Sequence, residues 1–274
     1  MPARESTDRD QAVPGGTVGQ QQAGDTGWVV IGATAQGTSH QRTGAPCQDA
    51  VAWARSASGR HFVAALADGG GSAPAAELGA RTAVSSVARF FLATLDTADS
   101  LDVSDVGGEQ LMREAFTAAR AAVADAASAS QRPIADLATT LCIVLAHRDE
   151  LCAAQIGDGL VVARSRTGEL SAVARPLRGE YANEVVFLTA GTELPSFEIT
   201  TLQLDDTDAF ALSSDGLRLL VTQHAVTGEP YAPFFEDAFA AVSDGASSQA
   251  IAEFLERIDD RTGDDKSLIL GIRG

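Results

Sequence analysis

Along this chain short β-rich apolar runs give way to long stretches with apolar residues every three or four positions and then return, and the order of those segments restricts the fold most. Short β-rich runs come first: WVVIGATA (28–35), DAVAWAR (49–55) and HFVAALA (61–67). Two alanine-rich stretches follow, at about 73–95 and 109–130. In the first, Ala76, Ala80, Val84, Val87 and Phe91 recur at three- and four-residue spacing, which gives a helix one buried face. MREAFTAARAAVADAA reads the same way, and LDVSDVGG between the two reads as a loop. TTLCIVLAH (139–147), ELCAAQIG (150–157), LVVARS (160–165) and ELSAVA (169–174) form a meander punctuated by RDE and TG. Residues 175–207 read as irregular and DAFALSS (208–214) as a strand. Segments near 231–242 and 246–258 are helical, and KSLILGIR (266–273) is a last strand. Helices segregated from strands predict an α+β layered domain with an antiparallel sheet core, not a doubly wound parallel sheet.

Composition sets the class of partner. The 274 residues are 45% hydrophobic, enough for one large domain to bury a core without staples. Residues 1–25 mix Gly, Gln, Pro and charge without periodicity and read as a disordered leader before a domain spanning 26–274. No hydrophobic signal segment stands at 1–27 and no apolar run reaches about 18 residues, so a cytoplasmic protein without a membrane partner is expected. With 37 acidic against 20 basic residues the net charge is −17, which repels nucleic acid and anionic membrane. A phosphorylated partner is then reachable only where bound cations reverse the local field. Cys47, Cys142 and Cys152 have no zinc-like spacing, and the latter two, in apolar surroundings, read as small core residues.

The acids are informative by placement. Asp49 opens a strand after GAPCQ, Asp68 ends one and is followed by GGGS, and Asp158 lies in IGDG between two strands. Asp215 ends a strand in SSDG, and Asp264 with Asp265 precedes the last strand in TGDDKS. A strand end projects a carboxylate from rigid backbone, and a neighbouring glycine lets the chain turn so that its carbonyl can approach a cation. Hard divalent cations take several such oxygens. A single Asp-Gly is more often a turn than a ligand. It is the repetition at the ends of apolar strands that points to metal.

Taken in order, these segments resemble the metal-dependent protein phosphatases of type 2C, the bacterial Ser/Thr phosphatases included. GTSHQRTGAPCQDAV (37–51) matches the family's opening Asn-Glu-Asp-Ala segment, and FVAALADGGGS (62–72) its strand ending in Asp-Gly. DLATTLCIVLAH (136–147) resembles the Gly-Thr-Thr strand, and AAQIGDGLVVARSRTGEL (153–170) the Val-Gly-Asp-Ser-Arg hairpin. DAFALSSDGL (208–217) resembles the Ser-Asp-Gly-Leu segment, and GDDKSLIL (263–270) the terminal Asp-Asn-x-Thr strand. The resemblance implies a four-layer α/β/β/α sandwich with two central, mainly antiparallel sheets and a metal cluster at one edge. It implies hydrolysis of phosphoserine and phosphothreonine in proteins by a metal-activated water, with two Mn²⁺ or Mg²⁺ ions and a third, looser one. Asp68 would bridge two ions and Gly69 lend its carbonyl, Asp215 and Asp264 would complete the first ion, Asp49 would lie at or beside the second, and Asp158 would serve the third. Asp49, Asp68 and Asp215 are thus the expected catalytic set. The expected partner is a phosphorylated protein linked to a Ser/Thr kinase, and the expected state a monomer.

Departures from that pattern matter. Gln48 replaces the family's glutamate before Asp49, Asp265 replaces the asparagine after the terminal ligand, and Gly44 stands where a phosphate-binding arginine is usual. Arg42 and His40 are the nearest candidates for that phosphate contact. The region after the second Asp-Gly hairpin is short, which predicts a reduced flap over the site. These changes motivate an alternative, a weak or non-catalytic regulator that keeps the fold and binds a phosphoprotein or kinase. Cys142 to Arg148 fits a Cys-x₅-Arg spacing, but the intervening residues are apolar and glycine-free, unlike a phosphate cradle. The glycines at 69–71 lack the Lys-Ser/Thr of a nucleotide loop, and Ser72 is expected to cap the next helix. His61 and His147 read as strand-edge residues, and His224 has no ligand spacing.

Overall fold

The computed structural model describes residues 27–56, 61–100, 107–147, 149–174, 185–224, 228–258 and 261–273. The expected leader at 1–25, most of the LDVSDVGG loop and part of the expected flap lie outside them.

Each sheet has strands that are apolar on both faces, because each is covered twice. In β4 (Leu141–His147), Leu141, Ile143 and Leu145 point to a helical layer while Cys142, Val144 and Ala146 point to the other sheet. β4 belongs to an antiparallel sheet in the order β2-β3-β4-β5-β8, with β2 at Ala50–Arg55, β3 at Phe62–Ala67, β5 at Glu150–Ile156 and β8 at Ile199–Gln203. The other sheet runs β1-β10-β9-β6-β7, with β1 at Trp28–Ala35, β6 at Leu160–Ser165, β7 at Leu170–Ala172, β9 at Thr207–Ser213 and β10 at Lys266–Arg273. Neighbouring strands in both sheets pair antiparallel. Trp28, Phe62 and Phe210 bring the two sheets together, with ring centroids 5.4–5.5 Å apart. Each such fully buried side chain contributes about 1.5–3 kcal/mol.

The helical layers follow from the periodicity. α2 (Ala76–Ser100) buries Ala76, Ala80, Val84, Val87 and Phe91, the stripe expected from spacing alone. α3 (Gly108–Ala129) buries Leu111, Met112, Ala115, Phe116, Ala119, Val123 and Ala127, and both helices cover the outer face of the β2–β5 sheet. The alanines let the two helices approach closely. On the far side, α5 (Ala232–Ser243) and α6 (Ser248–Arg257) set Phe235, Phe239, Val242, Ile251 and Leu255 against Leu268, Leu270 and Ile272 of β10. The result is the four-layer α/β/β/α sandwich that the resemblance implied.

Several local expectations need correction. The stretch 175–207 is not irregular throughout, since β8 pairs with β5 along its edge. Between β1 and β2 lies a short helix, α1 (Thr38–Thr43), that no periodicity marked. Ser72 lies in a turn upstream of α2, which starts at Ala76, so it does not cap that helix. His61 and His147 are not edge residues but are buried, their rings 4.7 Å apart. No described helix is long and apolar enough to cross a membrane.

Candidate metal centre

Both sheets end at the same edge, and the acids gather there because the chain crosses between sheets at that edge. β2 begins where β3 ends, with Ala50 opposite Ala67, so Asp49 and Asp68 are brought alongside one another. β9 ends beside the start of β10, which places Asp215 near Asp264. The turn Gly157-Asp158-Gly159 carries the chain from β5 in one sheet to β6 in the other.

Hydrogen bonds fix each strand end. The Asp68 amide donates to Thr140 Oγ1 (3.0 Å), and the Asp68 carbonyl accepts from the Thr140 amide (2.8 Å) and from Thr139 Oγ1 (3.2 Å). The Thr-Thr pair therefore positions the Asp68 backbone and leaves its carboxylate free of that work. Gly69 sits between Gln48 and Ala76, where a Cβ would come within 2.9 Å of the Gln48 carbonyl, so only glycine permits this approach. Ser214 and Ser267 tie the ends of β9 and β10: the Ser214 amide donates to the Ser267 carbonyl (3.1 Å) and the Ser267 amide to Ser214 Oγ (2.9 Å). On the rim, Arg120 of α3 donates to the carbonyls of Leu188 and Gly191, and Phe187 packs beside Gly70.

The electrostatics are those of several acids crowded together away from water. Burial is the largest cause lifting Asp68 well above the usual carboxylate range, and the charges of Asp49, Asp215 and Asp264 add to it. Asp215 is raised by burial, then by Asp158 and Asp264. Asp68 and Asp215 also contact each other side chain to side chain. Asp49 is only 8% exposed, and neither of its carboxylate oxygens has a partner at hydrogen-bonding geometry. Burial lifts it to about 7, helped by Asp265 and Asp215, although the nearby Ser267 and Ser214 hydroxyls offset part of the rise. Asp215 Oδ1 is likewise buried without a partner. Such oxygens are costly unless a cation meets them. All are hard donors, which fits Mn²⁺ or Mg²⁺.

His40, Asp264 and Asp265 each bring one potential ligand atom within 4.8 Å of the others. Asp265 Oδ1 accepts from the Gly37 amide (2.7 Å), and Oδ2 accepts from the Gln48 amide (2.6 Å) and meets His40 Nδ1 (2.9 Å). Asp265 is therefore a tether across the edge, and its own amide donates to Asp264 Oδ1 (2.9 Å). Sequence reasoning left Asp265 without a role. His40 faces Asp265 through Nδ1, and Arg42 folds back on its own helix, donating to the Thr38 carbonyl and Ser39 Oγ at 3.2 Å. Asp158 pairs with Arg218, whose Nη2 donates to its Oδ2 (2.9 Å) and its carbonyl (3.0 Å). Cys142 and Cys152 are buried in the core, and burial lifts both thiols, Cys152 to about 11.

With this geometry in view, residues 36–256 match the family model described as Protein phosphatase 2C, and the chain belongs to that family. It is 28% identical over 257 residues to serine/threonine-protein phosphatase 3 of Escherichia coli (strain K12), covering 89% of this chain and 98% of that protein. Among solved structures it is similar to the serine/threonine phosphatase Stp1 of Staphylococcus aureus, at 14% identity and a TM-score of 0.58 over 89% of this chain and 94% of that one. It is also similar to PppA of Pseudomonas aeruginosa, at 16% identity and a TM-score of 0.56 over 90% and 98%. At those identities the structures speak to the fold.

A pH dependence follows from Asp49. Its folded pKa of about 7 lies above the unfolded value, so its contribution to stability is full below about 4 and is lost as the pH rises through about 7. In chelator, the melting temperature of the wild type is expected to fall relative to Asp49→Asn between pH 5 and pH 8. Parallel melting curves for the two proteins across that range contradict the assignment. Added Mn²⁺ has the opposite trend, because the cation binds the deprotonated carboxylates and stabilises more at higher pH.

Proposed function

We propose that the chain removes phosphate from phosphoserine and phosphothreonine side chains of proteins, using Mn²⁺ or Mg²⁺ held by Asp49, Asp68, Asp215 and Asp264 with the Gly69 carbonyl. The observation that carries this reading is the convergence of these carboxylates from both sheets, with buried oxygens on Asp49 and Asp215 that, among the described residues, have no partner at hydrogen-bonding geometry. Membership of the 2C family and the likeness to a named serine/threonine phosphatase support the substrate class. A kinase acting on the same protein is the implied counterpart.

When bound, the cations would supply an activated water and neutralise charge on the phosphoryl oxygens. The protein's share is placement. Thr139 and Thr140 hold the Asp68 backbone, the Ser214–Ser267 link sets the distance between the Asp215 and Asp264 strand ends, and Asp265 locks the loops at Gly37 and Gln48. Rigid strand ends hold such geometry better than loops do. Hydrolysis of a phosphothreonine peptide is expected to require Mn²⁺ or Mg²⁺, to vanish in chelator and to return when the ion is restored. Turnover that persists after exhaustive chelation, or none with either ion despite calorimetric metal binding, overturns the proposal.

A further inference from the structure

We propose that Arg218 grips the phosphoryl group of the substrate and that Asp158 holds it in place for that task. This rests on the phosphatase reading above and names the side chain that recognises the anion. Where the family resemblance places a phosphate-binding arginine the chain has Gly44, with φ of 72° and no atom within 4 Å of a would-be Cβ. Arg42 folds onto α1, its Nε donating to the Thr38 carbonyl and its Nη2 to Ser39 Oγ. Arg218, first residue of the short helix α4 (Arg218–Val221), stands at this edge directly after the Asp215 turn.

Its geometry is that of a group prepared for a ligand. Nη2 is fixed from two sides, by Asp158 Oδ2 and by the Asp158 carbonyl. Among the described residues, Nε and Nη1 donate to no protein group. The side chain is 35% exposed and lies at the same edge as the carboxylates, close enough for the charge to act on Asp215. A guanidinium with one nitrogen anchored and its remaining donors open matches the oxygens of a phosphate dianion, and its planar fork loses little freedom on binding. The surplus of acid in this chain makes a fixed positive group at that edge valuable, since a phosphoprotein meets repulsion elsewhere. A guanidinium on Asp158 also supplies positive charge at the position where a third, looser ion was expected.

The test uses the full chain loaded with Mn²⁺, titrated with inorganic phosphate by calorimetry and assayed on p-nitrophenyl phosphate and a phosphothreonine peptide. Arg218→Ala is expected to raise the phosphate Kd and the KM for both substrates about tenfold or more, the scale of losing charge-assisted hydrogen bonds. It is expected to change kcat less, and to leave Mn²⁺ stoichiometry and affinity as in the wild type. Arg218→Lys, which keeps the charge but not the fork, should fall between the two. Wild-type phosphate affinity in Arg218→Ala overturns the proposal. So does a result in which both variants lower only the melting temperature, because the pair is then a latch for the 157–159 turn. Should Arg218→Ala not fold, Arg218→Gln decides by the same phosphate titration. A wild type that binds phosphate through Arg218 yet hydrolyses nothing would defeat the phosphatase reading and leave this one standing.

Discussion

Asparagine in place of Asp68 is expected to lower kcat/KM for a phosphothreonine peptide by at least about a thousandfold, because a metal ion supplies several kcal/mol of transition-state stabilisation and each 1.4 kcal/mol is worth about tenfold. Asp68 is the acid whose charge interacts with Asp49, Asp215 and Asp264 together, so no other side chain can take its central position. The fold should survive. The backbone of residue 68 is held by Thr139 and Thr140, whose hydrogen bonds do not involve the carboxylate. In chelator the variant should melt no lower than the wild type, since burial and the neighbouring acids already disfavour the ionised Asp68 carboxylate. In Mn²⁺ the order should reverse. Scanning calorimetry with and without the ion, alongside the peptide assay, reads all three effects. Activity within about tenfold of wild type, or a melting temperature that responds to Mn²⁺ as before, rejects Asp68 as the central ligand.

Much of this arrangement was legible in the sequence because it is written in two strong signals. Strands buried on both faces must be apolar throughout, and an aspartate at the end of such a run stands out, as at Asp68 and Asp215. Long helices with one buried stripe announce themselves by spacing, as in α2. What stayed hidden lacked either signal. α1 has no buried residue, and its one mark is the glycine at each end, with Gly44 in the left-handed conformation that commonly closes a helix. β8 is a short edge strand, half-buried and alternating weakly, although Ile-Thr-Thr is a β-branched hint. The Asp264–Asp265 doublet gives no local clue to which acid is ligand and which is tether, since that depends on the amides of Gly37 and Gln48 more than 200 residues away. Arg218 was passed over for a related reason: its partner Asp158 lies 60 residues back, across the gap between the sheets.

Asp265→Ala is expected to destabilise the metal-free protein by about 3 kcal/mol, the cost of leaving buried donors without their acceptor. For a domain of this size that amounts to a fall in melting temperature of about 6–12 °C. The carboxylate is 2% exposed and takes hydrogen bonds from Gly37, Gln48 and His40, so the substitution strands two backbone amides and an imidazole nitrogen at once. Asp265→Asn should cost less, because its amide oxygen can still serve one of the two backbone donors. Function suffers through position. Gln48 precedes Asp49, and Gly37 lies so near the Asp264 carbonyl that a Cβ there would come within 2.3 Å of it. Losing the tether therefore lets Asp49, at the start of β2, drift from Asp264, at the start of β10, and Mn²⁺ affinity should drop about 10- to 100-fold, as when other supports of metal ligands are removed. Calorimetric Mn²⁺ titration separates this from a stability effect alone: a variant that melts low yet binds Mn²⁺ as tightly as wild type would show that the two sheets hold the acids in register without Asp265.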